Sequence, residues 1–573
     1  MERRVGALRT MIKERCPKKE DLDPQKWMRK ETVRGFADFI LNKHSEQEAD
    51  SSYDNKEMLL ETEKQFIEAA KRNDVETMKY LGKSLNVNAR NLHHRTALHF
   101  AVAGKNKEAV QFLLQRRVKV DQKDKYGVAP LHLAAWFGSL EILKLLVQAG
   151  AEQKVENEEG LNIMHCAAIN NHTEIIKYII NDLQMKELDR DDQSGHRPFA
   201  LAAEHGCIEM LQILMEPYYM ATMKPNQRGD TPLHLAARNG HLDAVQLLLQ
   251  SFDTRDEVNT DGETALYQAA DSGQEECVLA LLEAGCDPNL LTEAKRSALH
   301  QVSGKGDTPL VQLLLEYHAS ADFQDQHLEA PLHVAVRNGH IPVIHSLLVA
   351  GCDINATDKR SQTALHLAAE LAKMEVVEML LKAGVDLTLR DRQGKTALGV
   401  AARADEVIIV DMIIKAERYN TWRQANPELN ESVRSEHPLT FKLDHRHGTK
   451  QLRSVTWRLA YEQMKARDWK RLAEHWGFTK EQVSAIEEQW TGQHSYKEHG
   501  NRMLLIWLHG EELAQRSPAK ELYQGLILTE NRKAAGYVQR QRTPAARAAV
   551  FPEEGKCIIK AERQAECSIS QQL

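Results

Sequence analysis

A four-residue signature recurs ten times at nearly constant spacing, and this repetition limits the chain's fold more than any other feature. Its most regular copy is Thr231, Pro232, Leu233 and His234, followed by Leu235 to Gly240 and then Leu242 to Gln250. Related tetrapeptides begin at Thr96, Ala129, Asn162, Arg197, Thr264, Ser297, Ala330, Thr363 and Thr396. Their last residues are His99, His132, His165, Ala200, His234, Tyr267, His300, His333, His366 and Gly399, spaced by 33 residues apart from single steps of 35 and 34. Threonine can cap a helix by accepting one of its free N–H groups, proline is pre-set for the first helical position, and Gly240 can take the left-handed conformation that stops the helix. Leu242, Ala244, Val245, Leu247, Leu248 and Leu249 then give a second helix with apolar residues at three- and four-residue spacing. Such a pair cannot hide its own apolar surface, so neighbours must cover it and the chain must be a linear array.

A length of 573 residues is too great for one compact core and suits an array plus one further domain. Net charge is −7 with acids and bases interspersed, which supplies no field for nucleic acid or an anionic membrane. The N-terminal Met1, Glu2, Arg3, Arg4 lacks a following apolar segment, and no apolar run elsewhere is long enough to span a bilayer. The eight cysteines, Cys16, Cys166, Cys207, Cys277, Cys286, Cys352, Cys557 and Cys567, form no closely spaced ligand pairs. They read as reduced thiols filling small spaces, in a cytoplasmic protein for which the nucleus is the other compartment. Gly304, Lys305 and Gly306 form only a fragment of a phosphate loop; no zinc-protease helix or nucleophile elbow is present. No enzyme, cofactor or metal site is expected.

The period, the Thr-Pro-Leu-His-like signature and the helix-pair-plus-turn unit resemble ankyrin repeats over about eleven units, residues 63–423. The resemblance implies antiparallel helix pairs with β-turn fingers, whose concave surface binds proteins. It also implies that the signature histidines bridge neighbouring backbones. Phe66, Ile67, Ala69, Ala70, Val75, Met78 and Leu81 form a first unit without the signature, as a terminal cap would. Residues 1–62 are a charged extension with an amphipathic pattern through Trp27, Val33, Phe36, Phe39, Ile40 and Leu41.

Departures from the repeat are where specificity is expected. Trp136 and Phe137 stand where other units carry Arg238 and Asn239, Asp271 and Ser272, or Arg337 and Asn338. They form either a binding hot spot or a packed ring against an adjacent repeat. Glycine two residues before the signature, as at Gly127, Gly160, Gly195, Gly229, Gly262 and Gly394, gives way to Lys295, Leu328 and Ser361. This predicts altered finger geometry around residues 290–362, as a less stable segment or a softened hinge. Asn355 and Asn289 lie eight residues after Leu347 and Leu281, the spacing of a turn asparagine hydroxylated in some members of this family; such an asparagine also satisfies turn backbone in any repeat.

Residues 424–449, with Pro427 and Pro438, read as a linker in which Phe441 and Leu443 dock locally. Apolar periodicity without the 33-residue period returns at 450–540, with helix breaks at Gly477, Gly492, Gly510 and Ser517-Pro518. Trp469, Leu472, Ala473, Gly477, Phe478, Val483, Ile486, Met503, Leu504, Trp507 and Leu526 resemble, in that order, the core of a death domain, with bulky Trp476 as a departure. The resemblance implies a six-helix bundle binding other death domains through charged faces. Arg467, Lys470 and Arg471 offer a basic face, and Glu481, Glu487 and Glu488 an acidic one. Residues 541–573 carry no core pattern and read as a disordered tail.

The fold expected is therefore all-α: an ankyrin solenoid followed by a death-domain bundle. The expected function is a non-enzymatic signalling adaptor, with a client protein on the array, death-domain proteins on the bundle, and neither nucleic acid nor inserted membrane as partner. The alternative is a scaffold or inhibitory protein that sequesters a transcription or cytoskeletal factor.

Overall fold

A computed structural model describes residues 36, 59–83, 85–426, 439–442, 450–514 and 516–540. The tail and Leu443 lie outside these, as does the N-terminal extension apart from Phe36 and residues 59–62. Among the described residues, eleven helix pairs occur in succession: α1 (Glu61–Arg72) with α2 (Val75–Leu81), α3 (Ala97–Ala103) with α4 (Lys107–Gln115), α5 (Pro130–Trp136) with α6 (Leu140–Gln148), and α7 (Ile163–Ile169) with α8 (Thr173–Lys177). There follow α9 (Pro198–Glu204) with α10 (Ile208–Met215), α11 (Pro232–Arg238) with α12 (Leu242–Ser251), α13 (Ala265–Asp271) with α14 (Glu275–Glu283), and α15 (Ala298–Lys305) with α16 (Thr308–Glu316). The series closes with α17 (Pro331–Asn338) and α18 (Ile341–Val349), α19 (Ala364–Glu370) and α20 (Met374–Lys382), and α21 (Ala397–Arg403) with the 19-residue α22 (Val407–Ala425). Among the described residues, β structure is limited to the isolated bridges Val258–Thr264 and Thr357–Thr363.

The chain separates into two compact units, residues 1–302 with 312–319, and residues 303–311 with 320–573. The first unit holds the array from α1 to α14. Each first helix packs on the first helix of the next pair, from α1 and α3 through to α11 and α13. Leu131, Leu133, Ala134 and Ala135 of α5, and Leu233, Leu235, Ala236 and Ala237 of α11, are buried. The second unit repeats this packing through α17, α19 and α21.

The signature sequence begins each helix by a route the sequence had not suggested. Where the fourth residue is histidine, its Nδ1 accepts the backbone N–H of the signature's first residue: Thr96 (3.1 Å), Ala129 (3.0 Å) and Thr231 (3.2 Å) in the first unit, Ala330 (3.2 Å) and Thr363 (3.3 Å) in the second. The Thr231 and Thr363 hydroxyls turn toward the same nitrogen, each at 2.8 Å. Threonine accepts a helix N–H at two of the three units lacking histidine, Thr264 from Tyr267 (3.1 Å) and Thr396 from Gly399 (3.4 Å), whereas Arg197 of the third makes no such bond. The imidazole thus shares the start of the helix wherever it is present, although Asn162 and Ser297 still accept helix N–H groups beside it.

Glycine in the finger turn is needed for two reasons. Gly127 and Gly229 have φ of 73° and 77°, and a Cβ on either would stand 2.7–2.8 Å from a backbone nitrogen of the next finger, Glu158 or Thr260. Those nitrogens donate across the turns, Glu158 to the Tyr126 carbonyl (3.1 Å) and Thr260 to that of Arg228 (3.0 Å). The altered geometry expected at Lys295, Leu328 and Ser361 is not found. All three adopt φ of 57° and retain the turn hydrogen bond, as does His94 (φ 58°) in the first finger. The neighbouring backbone imposes the turn, and the side chains bear the left-handed strain.

Among its described residues, the second unit also contains six further helical segments. They are α23 (Lys450–Arg458) continued by a π turn at Leu459–Gln463, α24 (Asp468–His475), α25 (Lys480–Glu488), α26 (Ser495–Leu513), α27 (Pro518–Leu528) and α28 (Arg532–Arg540). Trp469, Leu472, Ala473, Ile486, Met503, Leu504, Trp507 and Leu526 are at most 1 % exposed around the central α26. Trp476, the bulky departure, stacks on Trp507 (centroids 4.3 Å apart, planes at 15°), and Gly525 makes room for it, since a Cβ there would lie 2.9 Å from the ring. Gly510 does not break a helix as expected. It sits within α26, where an interior glycine costs only about 1 kcal/mol and the surrounding apolar run sustains the helix.

Replacing Leu328, which is 47 % exposed at its positive φ, by glycine should relieve strain and raise stability by about 0.5–1 kcal/mol after the entropy of the unfolded chain is offset. Urea unfolding of Leu328→Gly measures this; a loss of stability would refute the strain assignment.

Candidate interaction site

The recurrent histidines are where catalysis or metal binding would first be sought. Each instead joins one repeat to the next. His132 Nε2 reaches the Leu161 carbonyl (3.1 Å) and that of Val155 (3.2 Å), and His99 reaches Val128 (3.2 Å). In the second unit His333 reaches Gln362 (3.3 Å) and His366 reaches Lys395 (3.1 Å). Because Nδ1 accepts and Nε2 donates, the ring is held neutral in one tautomer with both nitrogens occupied. Burial pushes His99, His132 and His165 down to about 4, well below an ordinary imidazole.

The array comprises paired helices whose fixed residues are buried or bound to the next turn, leaving other positions free to vary. This defines a repeat protein of the helix-pair class. The family described as Ankyrin repeats (3 copies) matches at residues 66–157, 131–224, 219–292, 284–358 and 332–422, well over half of the chain. The chain belongs to the ankyrin-repeat family, whose repeats bind protein partners and are in general non-enzymatic interaction modules. Among the described residues, no helix is long and apolar enough to cross a membrane.

The residues at the ends of the first helices show what the array can present. In the first unit Asn239 and Asp271 are half-buried and Ser272 is exposed; in the second Arg337, Asn338, Glu370, Leu371 and Arg403 are exposed. Trp136 differs, being only 3 % exposed, and Phe137 is half-buried. The Trp136 ring stacks on Phe36 of the N-terminal extension, centroids 4.0 Å apart and planes at 6°. It does not pack simply on an adjacent repeat, although its carbonyl accepts His172 Nε2 at 3.0 Å. The side chain of Asn355 accepts the Asp386 N–H (2.9 Å), and that of Asn289 donates to the His318 carbonyl (3.2 Å), so both brace neighbouring turns.

In the second unit the helical bundle packs directly against the last repeat, α25 on α21 and α26 on α22. Arg502, 3 % exposed, donates Nε and Nη2 to Asp411 at 3.0 and 2.6 Å. Its Nη1 has no acceptor among the described residues. The Arg418 guanidinium lies 4.1 Å over the Phe478 ring and donates to the Trp476 carbonyl (3.1 Å). Gln482 donates to Glu417 (2.7 Å), and Arg390 pairs with Glu481 (2.7 Å).

Part of the linker joins this interface. Phe441 is 1 % exposed; the Thr440 hydroxyl donates to Glu378 (2.6 Å), and the Thr440 carbonyl accepts from His509 (2.8 Å). Burial would raise the Glu378 carboxyl, but hydrogen bonds from Thr440, Lys442 and Lys382 reverse this and hold it at about 2. Sequence reading missed these contacts because a single Arg502 or Asp411 has no local signature.

The charged faces are less separate than their spacing implied. Lys470 of α24 pairs with Glu487 of α25 at 2.5 Å, so one residue of each face is spent on the other. Arg471 and Glu488 are exposed. Glu481 is turned to the array, and Glu488 lines a polar cleft of about 320 Å³ with Lys395, Gly399 and Lys480. Gly399 stands where earlier repeats place the bridging histidine; here no further repeat offers a carbonyl, and α25 packs there instead.

Two outcomes test this geometry. The histidines take up protons near pH 6.5 when unfolded but only near 4 when folded, so their contribution is complete above about pH 6.5 and is lost as pH falls toward 4. Urea midpoints should decline across that window, and a flat profile from pH 7 to 4.5 would count against buried neutral rings. Asp411→Asn should destabilise the second unit by about 3 kcal/mol, because it leaves the Arg502 charge buried and unpaired; Asp411→Met with Arg502→Met should recover most of the loss. An effect under about 1 kcal/mol in the single variant would show the pair to be dispensable.

Proposed function

We propose that this ankyrin-repeat protein is a signalling adaptor, holding a client on its array and recruiting death-domain proteins through its C-terminal bundle. The observation that carries the first half is the division of labour within each repeat: recurring signature residues are buried, while first-helix ends expose chemically varied side chains such as Asn338, Leu371 and Arg403. Such a surface gives specificity without altering the core.

The second half rests on a buried core whose order, Trp469, Leu472, Ala473, Phe478, Ile486, Met503, Leu504, Trp507 and Leu526, resembles that of a death domain. On this reading the basic side around Lys470 and Arg471 is the recruiting face, because Glu481 of the acidic helix is engaged with Arg390 of the array. Joining two modest contacts on one chain raises the effective concentration of one partner near the other.

Affinity capture with the full chain tests this. Lys470→Glu with Arg471→Glu should remove death-domain proteins from the captured set at least tenfold while leaving array clients in place. Unchanged recovery of death-domain partners, or their absence even from the parent chain, would refute the recruiting role.

A further inference from the structure

The first-helix position occupied by Trp136 carries charge in most repeats: Glu204, Arg238, Asp271, Arg337, Glu370 and Arg403. In three consecutive repeats of the first unit it is apolar instead, as Ala103, Trp136 and Ile169. An apolar strip at this position would be a liability if left open to water. It is not left open: Trp136 and Ile169 are 3 % and 5 % exposed, and Phe36 lies flat on the Trp136 ring with none of its own surface exposed.

Phe36 comes from a stretch with no signature and no place among the helix pairs, so the array does not need it to complete a repeat. Its sequence neighbours Trp27, Val33, Phe39, Ile40 and Leu41 share its apolar spacing, which is the pattern of a helix that lays one face into a groove.

We infer that the strip around Trp136 is a docking site for an aromatic-bearing amphipathic segment, and that the chain's own Phe36 segment occupies it as an exchangeable plug. This deepens the reading of the array as a protein-binding surface and rests on it. A client of the same chemistry gains access only when Phe36 leaves, so the array's apparent affinity is reduced by the fraction of molecules in which the plug is seated. The two interpretations of Trp136 and Phe137 are thereby reconciled: Trp136 is a hot spot, and it is covered by a segment from outside the repeats.

The plug can be supplied in trans. A fluorescent peptide spanning residues 27–41 is titrated by anisotropy into the full chain and into full-length Phe36→Ala. The parent peptide should bind the Phe36→Ala chain at least tenfold more tightly than the unaltered chain, and a peptide bearing Phe36→Ala should lose that binding. Circular dichroism and the melting temperature of the Phe36→Ala chain establish that the array is folded, and Phe36→Ser provides a second vacated receptor. Equal affinity for plugged and vacated chains, no binding to either vacated chain, or equal binding by the two peptides would overturn the proposal. Because the probe is the chain's own segment, this result is independent of whether any client or death-domain protein is captured.

Discussion

The array depends on a hydrogen bond that no repeat completes by itself. A signature imidazole accepts an N–H at the start of its own helix and donates to a carbonyl in the following turn, as His132 does to Leu161 and His333 to Gln362. Neither half could be left unmade in a buried site without a penalty of about 1–3 kcal/mol. The ring must also stay neutral, since a second proton would remove the Nδ1 acceptor. Where the histidine is present, regular spacing, buried imidazole and positive-φ turns are therefore one constraint: the next repeat must place a carbonyl where its predecessor's imidazole can reach it, while the repeats with Ala200 and Tyr267 hold their neighbours by helix packing. Stability then resides in the contacts between neighbours as much as within them.

The last repeat shows what happens when this constraint is released. Gly399 replaces the histidine, Thr396 resumes the capping role, and the bundle helix α25 packs where another repeat would otherwise be required. The contacts there are of another kind: a buried Arg502–Asp411 pair, Arg418 over Phe478, and Phe441 sealed beneath Tyr419 and His509. The bundle is thus a structural partner of the final repeat, and the acidic helix is partly consumed by that role. In the face read as free from charge spacing alone, Glu481 is paired with Arg390 of the last repeat.

Much of the architecture could be read directly because periodicity and helix punctuation are local. The eleven pairs, the atypical first unit and the break in pattern after α22 all follow from residues within one period of each other. Two expectations failed for the opposite reason. Lys295, Leu328 and Ser361 were expected to alter their turns, yet the backbone on either side overrides side-chain preference. Gly510 was expected to end a helix, yet the apolar run of α26 carries through it. In each case tertiary packing outweighed a preference of about 1 kcal/mol.

The repeat period, the helix pairs and the identity of the bridging side chains were set by the sequence alone, because a 33-residue recurrence of buried and turn-forming residues admits few other packings. Which surfaces remain available was decided only in three dimensions. Phe36 covers Trp136 from 100 residues away, Lys470 neutralises Glu487, and Arg502 reaches Asp411 across 91 positions. Pairings of that kind obey no period, since a side chain's partner is whichever group the folded backbone brings within a few ångströms. The regular Thr231–Gln250 unit consequently explains how the array stands, and the irregular Trp136 shows where a residue from outside the repeats packs onto it.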